Sequence, residues 1–237
     1  MNRLRYHLPI LDYHRVGAFK DDHVPTVSGQ AFERQMRLLA RHRIRVLCFD
    51  ELMDCLEAGQ PMPRRSTIIT FDDGYEETYT VAWPILQRFG FPATVFVTPS
   101  EVGRPGFATW DQIVEMSNDA VTIGSHTMHH SYLPLVGREN LEEELGGSKV
   151  LIEQRVGKPV LFLCYPVGGF TTDVQTIAQR AGYRAACTTN RSLSPQGLLD
   201  RYALRRIKVT ERDANPLLFR IKLSGYYDVF RRLRAPC

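Results

Sequence analysis

Ser66-Thr67-Ile68-Ile69-Thr70-Phe71-Asp72-Asp73-Gly74-Tyr75 is the stretch on which the reading of this chain turns. Ser66 to Ile69 is largely apolar and β-branched, which reads as a short buried strand. Two adjacent carboxylates follow where that strand ends, and Gly74 lets the backbone turn sharply. Neighbouring side chains on a strand point to opposite faces, but past its end a turn can bring both toward one pocket. Like charges this close repel, so the pair needs a cation, a positive side chain or a shared proton. Taken alone, Asp-Asp-Gly is also ordinary turn chemistry, and a solvated turn is the competing explanation.

A second stretch shifts the balance. Ala120-Val121-Thr122-Ile123-Gly124-Ser125 reads as another strand and runs into His126-Thr127-Met128-His129-His130, which holds three of the chain's seven histidines. His126 and His130 are four positions apart, so one helical turn would put both imidazoles on the same side. With Asp73 they form a two-histidine, one-carboxylate set that suits Zn²⁺ or a similar divalent ion, with a position left open for water. His129 points off that face and is expected in solvent or behind the ligands.

Outward from these stretches, strands alternate with helices. Leu8 to His14 reads as a first strand ending in a histidine, and Ser28 caps a helix through about His42 with Phe32, Met36 and Leu39 at helical spacing. Ile44 to Phe49 reads as a strand, with Asp50 capping a short helix. A helix from about Glu76 to Phe89 is kinked or restarted at Pro84. Ala93 to Thr98, Val160 to Tyr165, Tyr183 to Thr188 and Ala203 to Val209 read as further strands. Thr109, Arg138 and Thr171 or Thr172 open helices between them. This alternation predicts an α/β fold, a parallel sheet covered by helices, and seven or eight units suggest a barrel. His14, Asp72, Asp73, His126, His130 and Tyr165 all fall at or just past strand ends, where barrel active sites lie.

At 237 residues, 43% hydrophobic and 24% charged, the composition is globular and fits one domain over 1–237. The net charge of +4 does not imply nucleic acid. It is uneven: residues 201–237 carry ten Lys or Arg against three acidic residues, or +7, which leaves −3 for the rest. Residues 213–237 read as a basic amphipathic segment. Packing against the barrel is its first explanation and peripheral contact with an anionic membrane its second. The five scattered cysteines form no Cys-x-x-Cys pair, and no apolar run is long enough for a leader or a spanning helix. A cytoplasmic protein, associated with the inner membrane face if the basic segment binds there, is the expectation.

Thr70-Phe71-Asp72-Asp73-Gly74 and His126-Thr127-x-x-His130 together resemble the first two motifs of the polysaccharide deacetylase family, the metal-dependent carbohydrate esterases with the nodulation-deacetylase homology domain. The resemblance runs from about Ile10 to about Val209. It implies a distorted (β/α) barrel of about seven units. It also implies Asp73, His126 and His130 as ligands of a divalent metal, Zn foremost with Co or Ni as alternatives, and Asp72 as catalytic base. A backbone N–H near Tyr165 is expected to meet the oxyanion. Tyr165, Pro166 and Trp110 are expected to line the substrate pocket.

Two departures stand out. The family's late Leu-x-His motif, whose histidine protonates the leaving amine, has no counterpart, because no histidine follows His130. Family members acting on poly-N-acetylglucosamine look circularly permuted, and Leu11-Asp12-Tyr13-His14 would fit that subgroup, with His14 as general acid. Asp111 is a candidate to orient His14, although Trp110 and Asp111 also fit a core position and a first-turn carboxylate of one helix. The third motif, usually Arg-x-Pro-Tyr-Gly, reads Cys164-Tyr165-Pro166-Val167-Gly168 here, so the arginine that steadies the base is missing. The leading expectation is a metal-dependent hydrolase that removes an N-acetyl group from an amino sugar, in a glycan or a lipid- or nucleotide-linked precursor. The alternatives are a same-fold hydrolase of a non-sugar amide or O-acetyl ester, and a catalytically weakened glycan-binding barrel.

Overall fold

The structure, a computed structural model, describes residues 7–18, 24–61, 63–189 and 200–227. Its strands are β1 (Ile10–Tyr13), β2 (Arg15–Val16), β3 (Thr26–Val27), β4 (Arg45–Val46), β5 (Ser66–Phe71), β6 (Ala93–Val97), β7 (Val121–Ser125), β8 (Phe162–Cys164), β9 (Ala185–Thr188), β10 (Leu204–Arg205) and β11 (Ile207–Lys208). Its helices are α1 (Gly29–Arg41), α2 (Phe49–Glu57), α3 (Trp83–Phe89), α4 (Trp110–Ser117), α5 (Arg138–Glu142), α6 (Ser148–Val156), α7 (Thr172–Arg180) and α8 (Pro216–Lys222).

The main sheet runs β10-β9-β8-β7-β6-β5-β1-β11, all pairs parallel, with β4 added beside β5. The sequence predicts one last strand over Ala203–Val209. The structure instead breaks it at Arg206: β10 pairs with β9, whereas β11 pairs with β1. One short segment therefore serves both edges, and the sheet closes through it into a barrel of seven staves. Closure removes the open edges that a parallel sheet would otherwise expose.

Strand periodicity decides which side chains meet inside. All six β5 residues are buried, as a strand covered on both faces requires. Ile68 joins Ile10, Phe96, Phe162, Cys164, Cys187 and Leu204 in an inner cluster, plugged at the bottom by Phe49, Leu52 and Met53 of α2. Ile69 and Phe71 face the outer layer with Phe32, Met36 and Leu39 of α1. The same alternation continues inward through Thr70 to Asp72, and from Ile10 to Asp12. Gly124 in β7 makes room for this interior, since a Cβ there would lie 2.5 Å from Phe96 Cδ1 and 2.9 Å from Phe162 O.

Local details differ from expectation in instructive ways. The short helix begins one residue before Asp50, with Cys48 at its N-cap and Glu51 accepting the Cys48 N–H at 3.0 Å. Before Pro84 a π-turn over Thr78–Ala82 re-spaces the hydrogen bonds, so the helix continues as α3 despite the proline. A second π-turn, Glu143–Gly147, joins α5 to α6. In the basic C-terminal segment, α8 covers only Pro216–Lys222. There Phe219 is buried and Lys222 donates to Asp213 Oδ2 at 2.7 Å and Lys208 O at 2.6 Å. Residues 228–237 of that predicted segment lie outside the described residues.

Candidate active site

The C-terminal ends of the staves enclose a cleft of about 530 Å³. At its floor β5 delivers the two carboxylates. Asp72 N–H donates to Tyr13 O at 2.9 Å, which ties the strand end to β1. Asp73 then takes φ 70° and Gly74 φ 79°, so the chain reverses and both acidic side chains enter the cleft. Left-handed backbone at a non-glycine residue is costly and concentrates at functional sites. Thr127 (φ 66°), His130 (φ 57°) and Val167 (φ 57°) repeat it around the same cleft.

His126 and His130 converge, but not on the helical turn that their spacing suggests. Residues 126–132 form an irregular loop after β7, and the left-handed Thr127 and His130 bend it back on itself. The two rings lie 4.9 Å apart. His126 Nδ1–H donates to Cys164 O at 2.8 Å, which leaves the Nε2 lone pair facing the cleft. His126 Nε2 is 3.5 Å and His130 Nε2 3.3 Å from Asp73 Oδ1. That oxygen is buried and accepts no hydrogen bond among the described residues. Burial lowers the His126 pKa and keeps the ring neutral, the form that ligates. Burial works against ionised Asp73, but contact with His130 and the charge of His14 hold its pKa below the usual value. Two imidazole nitrogens and one orphaned carboxylate oxygen at these separations fit a divalent ion.

Beside this set, Asp72 is gripped by an arginine that sequence reading missed. Arg206, buried at the break between β10 and β11, donates from Nη1 to Asp72 Oδ1 at 2.6 Å and from Nη2 to Asp72 Oδ2. Nη1 also reaches Thr70 Oγ1 at 3.1 Å and Nη2 Cys164 Sγ at 3.0 Å. Burial alone would raise the Asp72 pKa, but the guanidinium outweighs it and holds the carboxyl well below the usual range. The arginine absent from the third motif is thus supplied from the last stave. Only the shared parity of Arg206 with inward-facing Leu204 could have signalled it, and the charged neighbours Arg205 and Lys208 mask that signal.

Across the cleft stands His14, immediately after β1. Its partner is Asp12, not Asp111: Nδ1 lies 3.3 Å from Asp12 Oδ1. Burial would lower the His14 pKa, but the Asp12 charge overrides it and raises the value to about 9. Asp12 also lies 3.5 Å from Arg206 Nη1. Because β1 neighbours both β5 and β11, an N-terminal histidine reaches the site as readily as a late one would. Asp111 is exposed on the first turn of α4, and Trp110 is half-buried beneath Arg155, whose guanidinium lies 5.7 Å from the indole; neither lines the cleft.

Tyr165 lines the cleft, but its hydroxyl donates to Tyr202 O at 3.0 Å and its ring stacks on Phe170. Pro166 is buried and does not reach the lining, whereas exposed Val167 forms the lip. The Tyr165 N–H is already spent on Cys187 O at 3.0 Å, so it is no oxyanion donor. His129 lies at the cleft edge with Nδ1 3.0 Å from Glu144 Oε1. Tyr75, stacked on Phe107 at 4.9 Å, forms the opposite wall.

Comparison with known proteins agrees with this geometry. Residues 59–186 match the sequence profile of the polysaccharide deacetylases. Bacillus subtilis (strain 168) YxkH, which carries a provisional polysaccharide deacetylase name, is 30% identical over 205 residues, covering 86% of this chain and 71% of that protein. The poly-beta-1,6-N-acetyl-D-glucosamine N-deacetylase of Staphylococcus aureus (strain MRSA252) is 27% identical over 173 residues, covering 67% of this chain but only 59% of its own length. In fold, the Streptococcus pyogenes deacetylase PplD, solved in complex with acetate, superposes with a TM-score of 0.80 at 24% identity, over 89% of this chain and 96% of that one. The barrel, the paired motifs and the extent of these matches lead to one conclusion: this chain belongs to the polysaccharide deacetylase family.

Proposed function

We propose that this chain is a divalent-metal-dependent hydrolase that removes N-acetyl groups from amino sugars in a β-linked N-acetylglucosamine polymer or a lipid- or nucleotide-linked precursor. One observation carries the reading. The orphaned Asp73 Oδ1 and two imidazole Nε2 atoms converge beside an Arg206-held carboxylate and opposite an Asp12-backed histidine. A bare binding barrel has no use for an acid and a base flanking the same point. Similarity to the Staphylococcus enzyme supports the substrate class.

A divalent ion held by Asp73, His126 and His130, Zn²⁺ being the best match to the donor set, supplies Lewis acidity and lowers the pKa of water. Asp72 accepts the proton of the attacking water. Arg206 keeps it ionised and fixes both oxygens, trading basicity for constant readiness. His14, protonated at neutral pH because Asp12 faces it, donates a proton to the departing amine nitrogen. With the Tyr165 amide engaged on Cys187 O, another donor at the cleft has to meet the developing oxyanion.

The test is metal content together with acetate release from N-acetylglucosamine oligomers and a lipid- or nucleotide-linked N-acetylhexosamine. Asp73→Ala should lose the metal. Asp72→Asn should keep the metal but lose about 10²–10⁴-fold in rate. Metal bound with no acetate from any substrate would refute the deacetylase reading, and no metal bound would refute the site.

A further inference from the structure

Glu144 is a buried acid with no place in the mechanism above, yet among the described residues its side-chain hydrogen bonds all point at the loop that carries His130. Its side chain is almost wholly buried. Its Oε2 accepts the backbone N–H of Met128 at 3.0 Å and of His129 at 3.1 Å. Its Oε1 accepts the Ser131 hydroxyl at 2.7 Å and lies 3.0 Å from His129 Nδ1. Four donors thus surround one carboxylate, and only an anion satisfies all four.

The backbone around Glu144 is shaped for the same purpose. Glu144 sits in the π-turn Glu143–Gly147, where the Ser148 N–H reaches Glu143 O and Leu145 O but skips Glu144 O. That carbonyl shares the Met128 N–H with the Glu144 side chain, at 3.1 Å. A helix with regular spacing would have consumed that carbonyl internally. From below, Ser125 Oγ accepts the Thr127 N–H at 3.2 Å and meets Ser148 Oγ at 2.8 Å. Between these anchors Thr127 and His130 hold left-handed backbone, which relaxes unless its surroundings enforce it.

We propose that Glu144 is a positioning residue: from the π-turn it enforces the strained 127–131 loop and so presets His130 against Asp73 for the metal. Without it the loop relaxes, His130 swings from the Asp73–His126 pair, and a three-residue site becomes a two-residue one. This inference rests on the metal reading above but is read out without substrate.

The experiment compares wild type with Glu144→Gln, and with Glu144→Asp in case the first folds poorly. Zn²⁺ affinity is measured by competition with a chromogenic chelator, the Co²⁺-loaded protein by its d–d absorption, and the metal-free protein by thermal unfolding. Glu144→Gln keeps the shape but places an amide N–H₂ against two donors. It should weaken metal binding by about 10–100-fold, the usual cost of losing a residue that orients a ligand, and change the Co²⁺ spectrum. Glu144→Asp, which keeps the charge, should recover part of the affinity. His129→Ala, which removes one donor of four, should change affinity less than either. Wild-type Zn²⁺ affinity and Co²⁺ spectrum in Glu144→Gln would overturn the proposal, as would lowered thermal stability with unchanged affinity. Absence of metal from the wild type would instead refute the site itself.

Discussion

Replacing Arg206 by Met tests the electrostatic design of the site more sharply than replacing any metal ligand. Arg206 is fully buried and faces two carboxylates, Asp72 through two hydrogen bonds and Asp12 at 3.5 Å. Methionine fills most of the volume, so the packing loss is small and the charge loss dominates. Breaking one side of a buried ion pair costs about 3–5 kcal/mol. His14 and His130 remain as nearby positive partners, which places the expectation near the lower end, about 3 kcal/mol. For a domain of this size that is a fall in Tm of about 6–12 °C. The pH dependence carries the sign. In the wild type the Asp72 pKa is held below its unfolded value, so its stabilisation is full above that unfolded value and fades as pH falls toward the folded one. In Arg206→Met only the nearby histidines oppose burial, so the folded pKa rises and the ionised carboxyl loses most of that stabilisation. The gap between variant and wild type should therefore be widest at neutral pH and narrow on acidification. Urea unfolding of the metal-free proteins at neutral and mildly acidic pH measures it. A loss below about 1 kcal/mol, or one that widens as pH falls, would refute the assignment of Arg206 as the counter-charge of Asp72.

Two further outcomes follow from the same geometry. Asp12→Asn removes the charge that lifts His14 toward about 9, so the alkaline limb of kcat/KM should move to lower pH while metal content stays constant; an unmoved limb would remove His14 from the acid role. Gly124→Ala places a Cβ 2.5 Å from Phe96 and 2.9 Å from a β8 carbonyl, which should cost about 1–3 kcal/mol in urea unfolding, and a neutral substitution would show that the barrel interior is looser than described.

Elements with strong local signals were legible in the sequence. Ser66–Phe71, Ala93–Val97 and the Ser28-capped α1 declare themselves by β-branched runs, a capping serine and apolar spacing. The metal-fitting trio was legible because Asp73, His126 and His130 are rare residue types at strand ends. What failed was whatever only the three-dimensional arrangement decides. A one-dimensional pattern can pair His14 with any acid, and only the barrel shows that Asp12, two residues away, faces it while Asp111 points to solvent. Arg206 reads as one more arginine in a basic tail until ring closure turns it inward. The His126–His130 geometry misled for a different reason, since i, i+4 spacing implies a helix only when the intervening φ values are helical. Thr127 and His130 adopt left-handed φ because tertiary contacts compel it.

The break at Arg206 also separates two events in the life of the molecule. The metal-fitting residues lie between Asp73 and His130, at the ends of β5 and β7 with only β6 between them, and so belong to the middle of the chain. The acid–base machinery draws on the first stave for His14 and Asp12 and on the last for Arg206, so it exists only after the seam has been sewn. The metal-fitting half of the site is therefore local in the chain, whereas the acid–base half joins its two ends. Hydrolytic competence arrives with the final stitch, which makes turnover a report on whether the ring is whole.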